Sequence, residues 1–298
     1  MYDHILFAVD GSDEATAATR RGLALARDFD ATAEAVYVVE QRARRLTRTD
    51  RESAQLRDHG ESVLAEIESL GADIGHPVTT ELLEGKPSVQ IDEYARETGA
   101  ALIVLGRQGM TGLGKRLLGG VTEQVLHRTS VPVLVVSDVA QTRPDGFDYS
   151  RILVPTDGSA NAETATRHGA AVADRYDATV HVLNVVDIQA AGGAFNAGGL
   201  DETFIERLEE NGRDAVAATA DELENAAPAV SVETAVERTD SFGGVAPGIR
   251  EYISDHDIDL VVMGSHGRSN LKRQLLGSVT SQLIRTVAVP VLVTPRSA

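Results

Sequence analysis

A glycine-rich segment near the C-terminus has residue types and spacing suited to holding phosphate groups. Gly264-Ser-His-Gly267 is followed by nine residues and then by Gly277-Ser278, between an apolar run typical of a buried strand and a segment of helical periodicity. Glycines let backbone amides approach a ligand without an obstructing Cβ, and a helix start offers N–H groups and the positive end of a dipole. The pattern predicts a phosphate site, to which Ser278 adds a hydroxyl. The alternative is a surface loop whose glycines only satisfy turns.

Three stretches of the first half of the chain reappear in the second half. The matching pairs are Ile5–Ser12 with Ile152–Ser159, Gly106–Gly109 with Gly264–Gly267, and Leu117–Thr122 with Leu275–Thr280. Two copies in matching positions argue against the turns-only alternative and indicate two homologous domains. We place them at residues 1–140 and 150–298, joined by a polar linker at 141–149.

Each half alternates apolar runs with segments of helical periodicity. The predicted strands are Ile5–Val9, Ala33–Val39, Val78–Leu83, Ala101–Leu105 and Val131–Val136, then Ile152–Pro155, Thr179–Val186, Val230–Val236, Leu260–Met263 and Val289–Val293. The predicted helices of the first half are Ala15–Asp28, Glu52–Leu70, Ser88–Glu97 and Thr122–Arg128, the first capped by Ser12 or Asp13. This alternation predicts an α/β fold: two tandem doubly wound domains, each a five-stranded parallel sheet with helices on both faces. Such sheets bind ligands outside the carboxyl ends of their strands, where the strand order reverses.

The motifs of the second half resemble those of a known family. Pro155-Thr-Asp157-Gly-Ser159 together with Gly264-Ser-His-Gly267 and Gly277-Ser278-Val-Thr is similar to the ATP-binding branch of the universal stress protein family. The likeness covers both halves and nearly the whole chain. It implies an adenine-nucleotide site in each domain, for ATP with or without Mg²⁺, and dimerisation through the fifth strands.

The resemblance also implies which residues form each site. Asp157 would lie by the ribose, the backbone of Val185 would contact the adenine edge, and the glycines and the helix start would surround the ribose and phosphates. The aspartates could instead hold Mg²⁺, although the ribose is the preferred partner. The implied residues are Pro155, Asp157, Val185, Gly264, Gly267, Gly277, Ser278 and Val279 in the second domain, and Asp10, Val38, Gly106, Gly109, Gly119 and Gly120 in the first.

The first domain departs from the family pattern at two places. Gly120 stands where Ser or Thr is expected, and Ala8-Val9 replaces Pro155-Thr156. Loss of one neutral hydrogen bond costs about 0.5–1.5 kcal/mol, or up to about tenfold in affinity. We therefore expect the second site to bind ATP more tightly.

The two fifth strands, Val131–Val136 and Val289–Thr294, are near copies of each other. As exposed apolar edges they would need cover, which predicts that they pair with each other within one chain. The alternative is that they are buried core strands with no role in an interface. Two whole chains could associate in addition to this internal pairing.

Several other patterns predict less. Gly109–Arg116 approaches a phosphate-binding Walker loop but has Arg116 where the hydroxyl should be. Basic residues near the glycine loops could contact phosphate or simply be solvated; they are Lys115, Arg116, Arg268, Lys272 and Arg273. The arginine-rich stretch 42–51 favours a solvated segment over a contact with a partner. The histidines, including His256 between Asp255 and Asp257, lack metal-binding spacing, and Ser12 and Ser159 suit helix caps better than nucleophiles.

Composition limits the classes of partner. The 298 residues carry a net charge of −17 and include no cysteine, which argues against a nucleic-acid backbone as ligand and excludes disulfides and zinc–cysteine sites. No apolar run approaches the ~18 residues of a membrane span, and the first ten residues do not resemble a signal peptide, so we expect a cytoplasmic location. Only Lys86, Lys115 and Lys272 are lysines, a deficit that favours a high-salt cytoplasm over an ordinary acidic protein.

These observations favour a nucleotide-binding regulatory module whose ATP occupancy alters its conformation or its protein partner. One alternative is a slow ATPase or nucleotide-transferring enzyme that uses the same loops, but no base for such chemistry is assignable. Another is an interaction protein that binds no nucleotide.

Overall fold

The computed structural model describes residues 1–40, 50–109, 118–137, 148–189, 202–239, 244–267 and 276–296. It divides into two compact units, Met1–Phe147 and Asp148–Ala298. The Walker-like segment after Gly109, the basic residues 115, 116, 268, 272 and 273, and most of the arginine-rich stretch lie outside the described residues.

The first unit alternates strands and helices as predicted. Its strands are β1 (His4–Val9), β2 (Thr32–Glu40), β3 (Val78–Gly85), β4 (Leu102–Gly106) and β5 (Val133–Val136). Its helices are α1 (Asp13–Asp28), α2 (Asp50–Ile74), α3 (Pro87–Glu97) and α4 (Gly120–Arg128).

The second unit repeats this plan. Its strands are β6 (Arg151–Pro155), β7 (Thr179–Asp187), β8 (Val232–Thr239), β9 (Leu260–Gly264) and β10 (Val291–Thr294). Its described helices are α5 (Ala160–Tyr176), α6 (Glu202–Ala226), α7 (Val245–Asp255) and α8 (Ser278–Thr286).

The predicted strands are all present, with shifts at their ends that have physical causes. The fifth strands begin at Val133 and Val291, two residues later than predicted, because Pro132 and Pro290 cannot donate a ladder hydrogen bond. The third strand of the second unit begins at Val232, because the chain turns first: the Val230 N–H donates to the carbonyl oxygen of Ala227 at 3.0 Å.

The strand order explains how each sheet gains helices on both faces. It is β3-β2-β1-β4-β5 in the first unit and β8-β7-β6-β9-β10 in the second, and the pairs within each unit are parallel. The chain moves outward from β1 to β3, then returns to the other side of β1. Because crossovers between parallel strands are right-handed, the change of direction moves the later helices to the opposite face. The order therefore reverses beside β1 and beside β6.

The central strands form the core. Ile5, Leu6 and Phe7 of β1 are fully buried, as are Ile152 and Leu153 of β6, which matches their uninterrupted apolar sequences. The outer strand β3 instead alternates more and less exposed residues along most of its length. The first strands thus anchor the point of reversal, and the aspartates that follow them are held at the edge of a rigid sheet.

Helix α1 begins at Asp13, two residues before its predicted start, and has one of the two predicted caps, while α5 differs in one contact. The Ser12 hydroxyl accepts a hydrogen bond from the Ala15 N–H at 3.2 Å, so Ser12 is the cap. Ser159 occupies the same position before α5, but its hydroxyl makes no capping hydrogen bond.

Candidate functional site

A cleft of about 150 Å³ lies at the strand reversal of the first unit. Its floor comes from the ends of β1, β2 and β4, and its sides from α3 and the start of α4. The structure brings together at this cleft every residue predicted for the first domain: Asp10, Val38, Gly106, Gly109, Gly119 and Gly120.

The second unit has the corresponding cleft, with a volume of about 280 Å³. It again collects all the residues predicted for that domain: Pro155, Asp157, Val185, Gly264, Gly267, Gly277, Ser278 and Val279. Residues far apart in the sequence therefore converge at one place in each unit, which is where a doubly wound sheet holds its ligand.

A tight turn fixes the aspartate at the end of each first strand. Oδ1 of Asp157 accepts the Ser159 N–H at 3.0 Å, and Asp10 makes the same contact with Ser12, also at 3.0 Å. The residue between them is glycine in both turns, with φ of +83° at Gly11 and +72° at Gly158, a conformation that glycine adopts without strain. Each carboxylate is thus held before any ligand arrives.

Two hydrogen bonds join the glycine loop of the second unit to the start of α8. The Gly277 N–H donates to the carbonyl oxygen of Ser265 at 2.8 Å, and the Thr280 hydroxyl donates to that of Gly264 at 2.9 Å. The first unit has the same pair: Gly119 N–H to Arg107 O at 2.8 Å and Thr122 hydroxyl to Gly106 O at 2.8 Å. The N-terminus of the helix is thereby held at the cleft, where its first amides have no acceptor in the preceding turn.

Several glycines are required by close approaches within the second cleft. A Cβ at Gly267 would lie 2.5 Å from Oδ2 of Asp157, and one at Gly264 would lie 2.9 Å from the carbonyl oxygen of Asn161. A Cβ at Gly277 would lie 3.1 Å from the carbonyl oxygen of Ser265. A side chain at Gly264 or Gly277 would press on neighbouring backbone, and one at Gly267 would press on the Asp157 carboxylate, so glycine allows the close packing that brings this loop to the cleft.

Sequence reasoning missed several contributors to the clefts. Thr122 and Thr280 line the clefts and join the helix start to the loop; their signal was the identical Val-Thr after the last glycine in both halves. Asn184 lines the second cleft and donates from Nδ2 to the carbonyl oxygen of Thr156 at 2.8 Å. Apolar walls come from Pro87 and Ile91 in the first unit and from their counterparts in α7, for which no local motif exists.

The two units differ in the side chains that contact the glycine loop. In the first unit Oε2 of Glu14 accepts the Gln108 N–H at 2.5 Å, and Oε1 of Glu14 lies 3.8 Å from Nη2 of Arg107. The corresponding residues of the second unit are Asn161, His266 and Ser265. A carboxylate therefore occupies one loop amide in the first unit, and the Arg107 guanidinium offsets the charge of that carboxylate.

Within the part of the chain that the structure describes, no group of three or more His, Asp or Glu side chains is placed to hold a metal ion. Nor is any helix among the described residues both long and apolar enough to span a membrane.

Comparison with known proteins identifies the family. Residues 1–137 and 148–295 each match the model of the universal stress protein family. The chain belongs to this family. It is a tandem member, as the resemblance predicted, and its relatives are named for a role in stress.

Relatives cover the chain from end to end. A universal stress protein of Mycolicibacterium smegmatis is 30% identical over 303 residues, which span 97% of this chain and 96% of the relative. The crystal structure of a universal stress protein from Archaeoglobus fulgidus covers 99% of this chain and 96% of its own, with a TM-score of 0.69 and 21% identity, which shows the fold. A universal stress protein solved in complex with cAMP covers 50% of this chain and 99% of its own, with 21% identity and a TM-score of 0.37.

Proposed function

We propose that each domain of this universal stress protein binds an adenine nucleotide, ATP above all, and that occupancy regulates its interaction with a protein partner. The supporting observation is the convergence, in each domain, of a fixed aspartate, a glycine loop and a helix N-terminus on one cleft. Ribose, phosphate and base could each meet a suitable surface there.

The base would lie against the apolar walls and the open edge of the second strand. β6 ends at Pro155, opposite Leu183, while β7 continues to Asp187. The backbone of Val185 therefore borders the cleft on an edge that β6 does not reach. Backbone N–H and C=O groups in that position can bond the polar edge of adenine, and Val38 occupies the equivalent place in the first domain.

The phosphates would lie at the start of α8 or α4, because the helix dipole and its first amides favour anions. Asp157 or Asp10 would accept hydrogen bonds from ribose hydroxyls, charge-assisted bonds that are stronger than neutral ones. Mg²⁺ would enter with the nucleotide, and its contribution is to offset phosphate charge.

Calorimetric titration with ATP, AMP, cAMP and GTP tests the function. In high-salt buffer we expect two sites per chain for ATP and a preference for adenine over guanine, since the base edge is fixed by backbone. Folded protein that gives no saturable binding with any adenine nucleotide would contradict the proposal. Chromatography of the incubated mixture would detect ADP, and steady ADP release would favour the enzyme alternative.

The predicted ranking of the two sites can be tested by exchanging one hydroxyl. A Cβ at Gly120 would meet nothing within 4 Å, so Gly120→Ser should be accommodated and should tighten the first site by up to about tenfold. Ser278→Ala should weaken the second site by a similar factor.

Gly120→Ala is the matched control, because it adds the Cβ and improves helix propensity without adding a hydroxyl. If Gly120→Ala tightens the first site as much as Gly120→Ser, the hydroxyl does not set the ranking.

The predicted pairing of the two fifth strands and any further association of chains stay predictions.

A further inference from the structure

A side groove of about 210 Å³ opens beside Asp157 in the second domain. It shares Asp157, Asn184 and Val185 with the candidate nucleotide cleft. Its other walls include Asp187 at the end of β7 and Leu208 and Asn211 on α6. The groove thus extends the cleft from the place proposed for the ribose.

The first domain carries larger side chains at the corresponding positions. Ala8 pairs with Val36 and Pro155 with Leu183, so the next residues, Tyr37 and Asn184, are equivalent. A Cβ at Gly60 of α2 would meet the Tyr37 ring, and one at Gly212 of α6 would lie 2.6 Å from Oδ1 of Asn184. These two glycines are therefore equivalent, and so are the residues before them, His59 and Asn211.

Two rings fill the space beside Asp10. Tyr37 is 8% exposed, and its ring packs edge-on against His59 with the centroids 6.0 Å apart. A Cβ at Gly11, the residue after Asp10, would lie 3.6 Å from Nε2 of His59, so the His59 ring borders the turn that holds Asp10. Burial raises the pKa of the Tyr37 phenol, and the Asp10 carboxylate raises it further. Where the first domain has Tyr37 and His59, the second has two asparagines and a groove.

The polar groups of the groove limit what could occupy it. Asp157 and Asp187 contribute two carboxylates, while the Asn184 side-chain N–H is engaged by the carbonyl of Thr156. Acceptors and negative charge favour a cationic or hydrogen-bond-donating group and disfavour an anionic one. Leu208 provides an apolar wall for a short alkyl link.

We infer that the second domain accepts an adenine nucleotide whose ribose carries a cationic substituent on its 2′ or 3′ oxygen, and that the first domain excludes it. The inference rests on the proposed function, because ribose bound at Asp157 would direct the substituent into the groove. The domains of this tandem protein would then select different ligands.

The experiment compares three ligands on the full chain carrying Gly109→Val, which leaves the second site to be measured alone. The ligands are ATP, ATP with an aminoethylcarbamoyl group on the 2′ or 3′ oxygen, and ATP with a succinyl group there. We expect the amine analogue to bind at least about tenfold more tightly than the succinyl analogue. Both analogues lose the same ribose hydroxyl, so this ratio reports the charge preference of the groove. Equal affinity for the amine and succinyl analogues would overturn the inference.

Two variants test the groove itself. Asn211→His introduces the residue of the first domain at an exposed helix position and should weaken the amine analogue by about tenfold while ATP affinity is unchanged. Tyr37→Asn, in a chain carrying Gly267→Val, should let the first domain bind the amine analogue. An equal effect of Asn211→His on ATP and on the analogue would contradict the groove. Loss of ATP binding to the Gly109→Val chain would instead contradict the proposed function, and the inference with it.

Discussion

Gly267→Val is expected to remove nucleotide binding from the second domain and to leave the first site intact. A Cβ at this position would lie 2.5 Å from Oδ2 of Asp157, so the loop or the carboxylate must move. Both line the cleft where ribose and phosphate are proposed to lie. We expect the affinity of the second site to fall about 100-fold or more, equivalent to about 2.7 kcal/mol, so that ATP titration shows one site in place of two.

The matched control is Gly109→Val, which brings the same clash against Asp10 and should remove the first site only. Both glycines lie beyond the ends of their strands. We therefore expect each substitution to lower the free energy of unfolding by no more than the usual cost of overpacking, about 1–3 kcal/mol, which thermal unfolding measures. Two intact sites in the Gly267→Val chain would show that this loop does not contact the nucleotide. Loss of both sites in either variant, with unfolding unchanged, would show that the two clefts do not act separately.

The features that sequence predicted best are those encoded by short contiguous motifs. A buried strand followed by Asp-Gly-Ser favours a left-handed glycine and a carboxylate that accepts the serine N–H, so the turn at Asp10 or Asp157 follows from local chemistry. The internal repeat indicated the glycine loops as ligand sites, because Gly106 and Gly264 occupy matching positions in the two halves. The reversal of strand order then follows from the right-handedness of crossovers, which places both motifs at one edge.

The features that were missed depend on packing between distant elements. Ile91 and Ile249 line the clefts because of where α3 and α7 pack along their sheets. Helical periodicity alone does not specify that position. The contact of Glu14 with the Gln108 N–H joins residues that only the folded chain brings together. Tyr37 and Asn184 are visibly different in the sequence, yet the groove appears only once α2 and α6 are placed over the two strands.

Asp157→Asn is expected to weaken ATP binding at the second site by about 10- to 100-fold, because charge-assisted hydrogen bonds to ribose contribute about 1.5–3 kcal/mol. Asparagine keeps the size of the side chain and the oxygen that accepts the Ser159 N–H. The turn and the folded state should therefore persist, and thermal unfolding checks this. Asp10→Asn is the matched change in the first domain and should affect only that site.

The ribose contact can be separated from a metal contact by a cycle of two changes. In the Gly109→Val chain, 2′,3′-dideoxy-ATP should bind about 10- to 100-fold more weakly than ATP, whereas with Asp157→Asn added the two ligands should bind alike. If the ratio of their affinities is the same with and without Asp157→Asn, the carboxylate does not bond the ribose. A loss of ATP affinity on Asp157→Asn that appears with Mg²⁺ and vanishes with a chelator would assign the carboxylate to the metal. A carboxylate that contacts only the metal repels the phosphates once Mg²⁺ is removed, so its replacement by asparagine should then tighten binding.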